Sequence, residues 1–513
     1  MKKTLFSLWL FLSSFFFTHA QDSSLKGKVT SDHTQNGLQG VNVVLKGTGY
    51  GTITSLHGDY ELGEIPAGEQ VLIFSFMGYE TREVVLSIKE GEVLEFDLEL
   101  EEGSIDLSAV TIEARRPVSA ASSKAIRDFD LKIKPARSAQ DLLQLVPGLV
   151  IAQHAGGGKA EQIFMRGFDA DHGTDVGIYV DGMPVNLVTH GHGQGYADLH
   201  FVIPEIIDGL EVFKGPYFAR FGNFGTAGSV DLTTTDHPER NLVKIEGGMF
   251  NTAKATTVLK IPTSGSHQSA YVAGQYYYSD GPVENPQGFN RANIFAKFHT
   301  HLTQKSELGL VMGAFTSSWN ASGQIPQRAV DQGAISRWGA IDPMEGGVTS
   351  RYNFSVDYHF MEGYDHDFQI QAYVTKYDFK LYSNFTFWLN DPEYGDMIEQ
   401  TDHRSIYGIN TRYTFYKPLG KVRSYTRVGS SYRGDRIDLS LWKSPNRIRI
   451  SPRMDHWVNE TNMALWVEED LVFSRIFKLQ LGLRGDYFTF DVIDHLEYPG
   501  VPDNGLKIGR AHV

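Results

Sequence analysis

Between residues 154 and 200 histidine and aspartate crowd together: His154, then Asp169 and Asp171 beside His172, then His190 and His192, then Asp198 and His200. In extended backbone, residues i and i+2 share a face, so His190 with His192, and Asp169 with Asp171, present paired ligands to one side. Neutral imidazole with carboxylate suits zinc, copper, nickel or iron, and an axial imidazole suits heme. The other reading is a hydrogen-bonding scaffold on a wet, polar surface. No fixed metal spacing such as His-Glu-x-x-His accompanies these residues. Gly156-Gly157-Gly158-Lys159 lacks the spacing of a phosphate-binding loop and reads as a flexible connection. Trp319-Asn320-Ala321-Ser322-Gly323-Gln324-Ile325-Pro326 and Arg337-Trp338-Gly339 lie in a long loop, where they clamp a substrate or simply pack the loop. No nucleophile, base and acid stand at a recognisable spacing, so the chain is expected not to be an enzyme.

The histidines are set among ordered markers. Pro147-Gly148 follows a short helix that Ser138 and Asp141 cap, and Arg166-Gly167, Asp181-Gly182, Glu211 and Lys214-Gly215-Pro216 follow in turn. Gly222, Gly225 and Gly228 close the series. Strand-like pieces fall at 162–166, 176–180, 210–214 and 229–233, and Pro204 opens a brief turn over 205–208. This ordered set resembles the plug domain of TonB-dependent outer-membrane receptors, in which a small α+β unit blocks a large β-barrel. The resemblance implies that plug loops on the outer side meet the substrate. It makes Arg166, Glu211 and Lys214 plug-to-barrel ion-pair residues rather than catalysts.

From residue 242 the pattern becomes strict alternation in segments of about ten residues, as lipid-facing strands require. Tyr352, Phe354, Val356, Tyr358 and Phe360 share one face, and Asn353, Ser355, Asp357 and His359 the other. Eleven strands are expected, near 242–251, 255–262, 268–279, 292–301, 306–316, 351–361, 367–377, 403–414, 421–432, 462–473 and 477–489. Beyond the first hairpin, short and long connections alternate, as in an outer-membrane barrel with short periplasmic turns and long outer loops. The resembled family has twenty-two strands, so about half a barrel is expected. Residues 508–513 match one reading frame of a sequencing adapter, and a C-terminally truncated gene is the expectation.

The N-terminus carries Lys2 and Lys3, an apolar run over 5–17 and a small-residue site before Gln21, so 1–20 is expected to be a signal peptide. Residues 21–101 alternate between glycine-rich turns as a small β-sandwich, with Val41, Val43 and Leu45 on one strand face. The run from Gly40 to Thr81 resembles the carboxypeptidase-regulatory-like module found before such receptors in the Bacteroidota. Residues 102–120 read as a linker, within which Leu107-Ser108-Ala109-Val110-Thr111-Ile112 resembles a TonB box. Such a string acts by adding a strand to a partner's sheet edge; the other reading is a last strand of the preceding domain. Residues 121–238 form the plug and 239–513 the partial barrel.

Composition bounds the rest. A formal net charge of -14 argues against nucleic acid as partner. Cysteine is absent, which excludes disulfides and thiolate metal sites. A mean hydropathy of -0.26 fits a barrel, whose lumenal residues are polar. The expected fold class is mainly β: an N-terminal sandwich, an α+β plug and an antiparallel transmembrane barrel. The resemblance implies an outer-membrane importer of a Gram-negative cell, with its N-terminal domain in the periplasm. Its partners are TonB, outer-membrane lipid and a small-molecule or metal-chelate substrate. No cofactor is required, and a metal ion or chelate is expected only as cargo. Three rivals are a surface enzyme, a binding or signalling receptor without transport, and a glycan or oligomer importer of the same fold.

Overall fold

The computed structural model describes residues 23–32, 37–38, 41–46, 51–55, 57–76, 79–89, 91–101, 123–126, 134, 136–153, 157–170, 174–193, 195–265, 267–362, 366–420, 422–474, 477–496 and 507–508. The expected signal peptide and the Leu107–Ile112 string lie outside them. Two compact units divide at Arg116/Pro117.

The first unit holds β1 (Ser23–Ser31), β2 (Asn42–Leu45), β3 (Gly51–Ile53), β4 (Asp59–Ile65), β5 (Gly68–Ser75), β6 (Arg82–Ile88), β7 (Val93–Glu95) and β8 (Leu98–Leu100). β1 pairs with β4, β7 and β8, and the other sheet runs β3-β2-β5-β6. Alternate residues from both sheets meet in one core, which includes Leu25, Val29, Val43, Leu72 and Phe74. Period-two alternation becomes a sandwich here because each sheet has one apolar face to bury.

The second unit opens with the plug: β9 (Ser123–Ile126), α1 (Ala139–Leu143), β10 (Leu149–Ala152), β11 (Gln162–Met165), β12 (Phe168–Ala170), β13 (Val176–Val180), β14 (Met183–Pro184), β15 (Ile207–Lys214) and β16 (Gly228–Thr234). One sheet runs β14-β13-β16-β15-β9 and the other β10-β11-β12. Leu142, Val146, Met165, Ile178, Leu210 and Val230 lie in their shared core. The glycine-bearing markers are turns. Pro147 and Gly148 (φ 81°) form a type II turn that Leu149 N closes on Val146 O at 3.1 Å. Arg166 (φ 55°) with Gly167 (φ 82°), and Asp181 (φ 49°) with Gly182 (φ 74°), are two-residue hairpin loops with both residues left-handed. That is the type I′ geometry matching strand twist. Asp141 Oδ2 accepts the N–H groups of Arg137 (2.8 Å) and Ser138 (3.4 Å), fixing the start of α1.

The remaining strands are β17 (Leu242–Gly248), β18 (Thr252–Ile261), β19 (Gln268–Ser279), β20 (Phe289–Thr303), β21 (Ser306–Asn320), β22 (Gly346–Glu362), β23 (His366–Ser383), β24 (Ile398–Leu419), β25 (Val422–Lys443), β26 (Ser451–Val472), β27 (Lys478–Asp494) and β28 (Lys507–Ile508). They form one sheet in sequence order, with β17 at one edge and β28 at the other. A short helix, α2 (Gln327–Asp331), sits in the β21–β22 loop. Tyr352, Phe354 and Val374 are exposed on one face of the sheet, while Arg351, Ser355 and Thr375 are buried on the other.

Most strands run further toward the long-loop end than the alternation indicates. β24 and β25 each have 22 residues, and the connection expected over 433–461 contracts to 444–450. Beyond the lipid band neither face needs to be apolar, so hydropathy ceases to mark the strand while the hydrogen-bonded ladder continues.

Candidate functional site: the plug on the lumenal wall

The plug lies against the buried face of the sheet, opposite the exposed apolar face. Side chains of strands from β18 to β27 reach it, which requires the sheet to wrap around it. Lys254 pairs with Glu205 at 2.7 Å, Lys297 pairs with Asp236 at 2.7 Å, and Lys297 lies 3.7 Å from Asp181. Among the described residues, Glu205, Asp181 and the connecting residue Asp236 pair with wall lysines. Of the residues expected to pair plug with barrel, Arg166 lies in a hairpin loop, and Glu211 and Lys214 stand in β15.

Wall arginines grip plug carbonyls. Arg433 donates to Asn186 O (2.7 Å), Arg404 to Thr189 O, Arg484 to Ala219 O and Arg220 O (both 3.2 Å), and Arg291 to Arg137 O (2.7 Å). Three of these guanidiniums are aimed by an aspartate two residues away on their own strand: Asp402 for Arg404, Asp435 for Arg433 and Asp486 for Arg484, each accepting from Nε at 2.7 Å. Residues i and i+2 face the same side of a strand, so the pairing is built into the register. Gly222 passes beneath Arg484, where a Cβ would lie 2.5 Å from Nη2.

The same wall absorbs the described histidines. His190 is buried; its ring stacks on Tyr196 at 4.2 Å and its Nδ1 accepts the His192 N–H at 3.2 Å. His192 Nδ1 lies 3.1 Å from Gln400 Oε1. Gln400 of β24 meets the His192 ring, while Tyr196 covers that of His190. His200 Nδ1 meets Asp198 Oδ1 at 2.7 Å, with Gln140 Nε2 at 3.0 Å. Burial pushes the Asp198 carboxyl up, but the His200 ring and amide outweigh it and hold it below the usual range. Asp169 lies in β12, and its side chain, with His154, Asp171 and His172, falls outside the described residues. Among the described residues no group of three or more histidines and carboxylates is placed to hold a metal ion.

Among the described residues, cavities separate plug, wall and loops. One of about 510 Å³ is flanked by the Asp181 turn, Arg220, Lys297, Glu307 and Arg412. A second, of about 520 Å³, lies toward the long loops between Arg137, Glu161 and His200 of the plug and Tyr277 and Arg291 of the wall. Burial raises the Glu161 carboxyl, with His200 opposing. A third, of about 240 Å³, joins plug residue Lys159 to Gly323, Glu345, Tyr382, Asn384 and Phe387 of the loop bases. Burial pushes the Glu345 carboxyl up to about 7, against the Asn384 N–H and the Lys159 charge. Sequence reading missed Glu345 and Asn384, which carry no motif; the glycine run ending at Lys159 and the loop containing Gly323 were the only signals.

Comparison with known proteins agrees with this architecture. Residues 25–112 match the CarboxypepD_reg-like domain and residues 116–229 the TonB-dependent Receptor Plug Domain. The first match extends over the Leu107–Ile112 string. TonB-dependent receptor P3 of Formosa agariphila is 22% identical over 70% of this chain and 38% of its own length. The vitamin B12 transporter BtuB of Vibrio vulnificus is 27% identical over 35% of this chain and 29% of its own. Among solved structures, the unliganded ferric citrate transporter FecA superposes with a TM-score of 0.64 at 16% identity, over 74% of this chain and 57% of FecA. The ferric yersiniabactin receptor FyuA of Yersinia pestis gives 0.57 at 14% identity, over 73% and 57%. The chain thus spans less than two thirds of these relatives' lengths. The family is one of receptors and transporters, not enzymes. The chain thus carries the plug domain of the TonB-dependent receptors, seated on the buried face of an antiparallel sheet similar to theirs.

Proposed function

We propose that this chain is the plug-bearing part of an outer-membrane importer driven by TonB. The observation that carries the reading is the plug itself: a folded stopper with a core of its own, seated against a curved wall through ion pairs, arginine-to-carbonyl hydrogen bonds and buried apolar contacts such as Met183, Leu187 and Tyr196 with Tyr373 and Phe379. Loops at 321–345 and 384–397 face outward, and the short turn at 304–305 faces the periplasm, where the N-terminal domain also lies. Substrate reaches the outer cavities, and the displaced plug exposes Leu107–Ile112 to TonB. The partner adds a strand there and pulls, because the outer membrane has no ATP and energy must arrive mechanically. Deleting residues 107–112 is expected to abolish uptake while leaving substrate binding unchanged; unchanged uptake rejects the coupling.

The cargo is a small organic solute, carried free or as a metal chelate. The chelate rests on His154, Asp169, Asp171 and His172, since His190, His192 and His200 are engaged with the plug and the wall. Calorimetry of the full chain with zinc, copper, nickel, iron and heme tests it. Binding that survives His154→Ala with His172→Ala rejects those ligands.

A further inference from the structure

The 240 Å³ cavity at the loop bases carries polar atoms that the protein does not satisfy. Among the described residues, Glu345 Oε1 and Asn384 Oδ1 are buried acceptors with no hydrogen-bond partner, and both residues line the cavity at 4% and 3% exposure. Leaving such an acceptor unmade costs more than a typical bond contributes, so it asks for an explanation. The orientation of the Asn384 amide is set: its Nδ2 donates to Asp342 Oδ2 at 2.7 Å, which leaves the oxygen turned away. Asp342 is itself occupied, its Oδ1 accepting from Met344 N at 3.0 Å. Glu345 Oε1 is held in space that only glycine leaves open, since a Cβ on Gly323 (φ 63°) would lie 2.2 Å from it.

The cavity is also braced. Phe387 on its rim has φ 59°, a left-handed conformation costly for an aromatic residue. Asp396 holds the loop behind it, accepting from Thr386 Oγ1 (2.7 Å), Asn390 N (2.9 Å) and Asp391 N (3.0 Å). Strain kept by a surrounding network points to a formed site.

We propose that this cavity binds one ring of a neutral, polyhydroxylated molecule, a saccharide unit, whose hydroxyls donate to Glu345 Oε1 and Asn384 Oδ1. Three observations select that class. The unmet atoms are acceptors on two adjacent loops, which call for two donors on one ligand. Lys159 beside Glu345 disfavours a cation, and the carboxylate disfavours an anion. Phe385 and Phe387 also line the cavity and give it apolar surface for a ring. The volume is below the roughly 300–1,000 Å³ of drug-sized sites, enough for a single ring. Because Lys159 belongs to the plug and the other residues to the loops, an occupant touches both.

This rests on the import reading for its purpose but is tested without it. The purified full chain in detergent is applied to an array of neutral mono- and oligosaccharides, and any sugar bound is titrated by calorimetry. Asn384→Ala and Glu345→Gln are each expected to weaken that binding about 3- to 10-fold, with Lys260→Ala at the far end as an unchanged control. Near-ultraviolet circular dichroism checks that each variant is folded. No sugar bound by the folded chain, equal binding by folded variants, or binding of spermidine or calcium instead of any sugar overturns the proposal. Deleting 107–112 leaves sugar binding unchanged if the pocket is as described. A negative array therefore leaves the import reading standing, and uptake that survives the deletion leaves the pocket standing.

Discussion

Single residues set how firmly the plug is held. Arg404 is fully buried and paired with Asp402 and Asp435 while it donates to Thr189 O. Removing one partner of a buried cluster strands the others, at about 3–5 kcal/mol. Arg404→Ala is therefore expected to make the plug protease-sensitive in an otherwise folded barrel, as limited proteolysis would show. Glu345 makes the opposite prediction in pH. Its folded pKa of about 7 exceeds its ordinary value of 4.5, so the native state binds more protons than the unfolded chain between those limits. Stability from this group is thus full below about pH 4.5 and is lost as pH rises through about 7. Glu345→Gln should stabilise by roughly 1–2 kcal/mol at pH 8 and by little at pH 4.5, read from unfolding midpoints at the two pH values.

At the scale of elements, the plug depends on its hairpin loops. Gly182 (φ 74°) completes the loop whose Asp181 side chain accepts from Thr234 N (2.8 Å) and Thr234 Oγ1 (2.7 Å). Gly182→Val places a β-branched residue in left-handed backbone, at about 1–3 kcal/mol, and should lower the plug's protease resistance more than Gly63→Val in the first unit. These loops were legible because Asp-Gly and Arg-Gly between apolar runs leave few alternatives. The ends of β24 and β25 were not, since polar strands above the lipid band have no hydropathy signature. His190 and His192 were legible as a pair but not as wall residues, because Tyr196, Gln400 and Asp402 meet them only after folding.

For the molecule as a whole, the sheet separates two solvents. Leu465 is 73% exposed on the apolar face of β26, while its neighbour Trp466 is 8% exposed on the lumenal face. Leu465→Arg should cost about 2–4 kcal/mol where the face meets the bilayer core. The folded fraction in lipid vesicles, followed by heat-dependent gel mobility, measures it. Equal loss in detergent and lipid would assign the effect to the strand rather than to the membrane.

The order of units, the alternation that makes a sheet two-faced and the turns that glycine and proline impose can all be read from the residues alone. These are local properties, written within a few residues of one another. Which wall residues hold the plug, where the histidines go and which buried oxygens are left without a donor emerge only on folding. Arg404 and Thr189, or Glu345 and Asn384, become neighbours only when distant strands align, and no local pattern encodes that meeting.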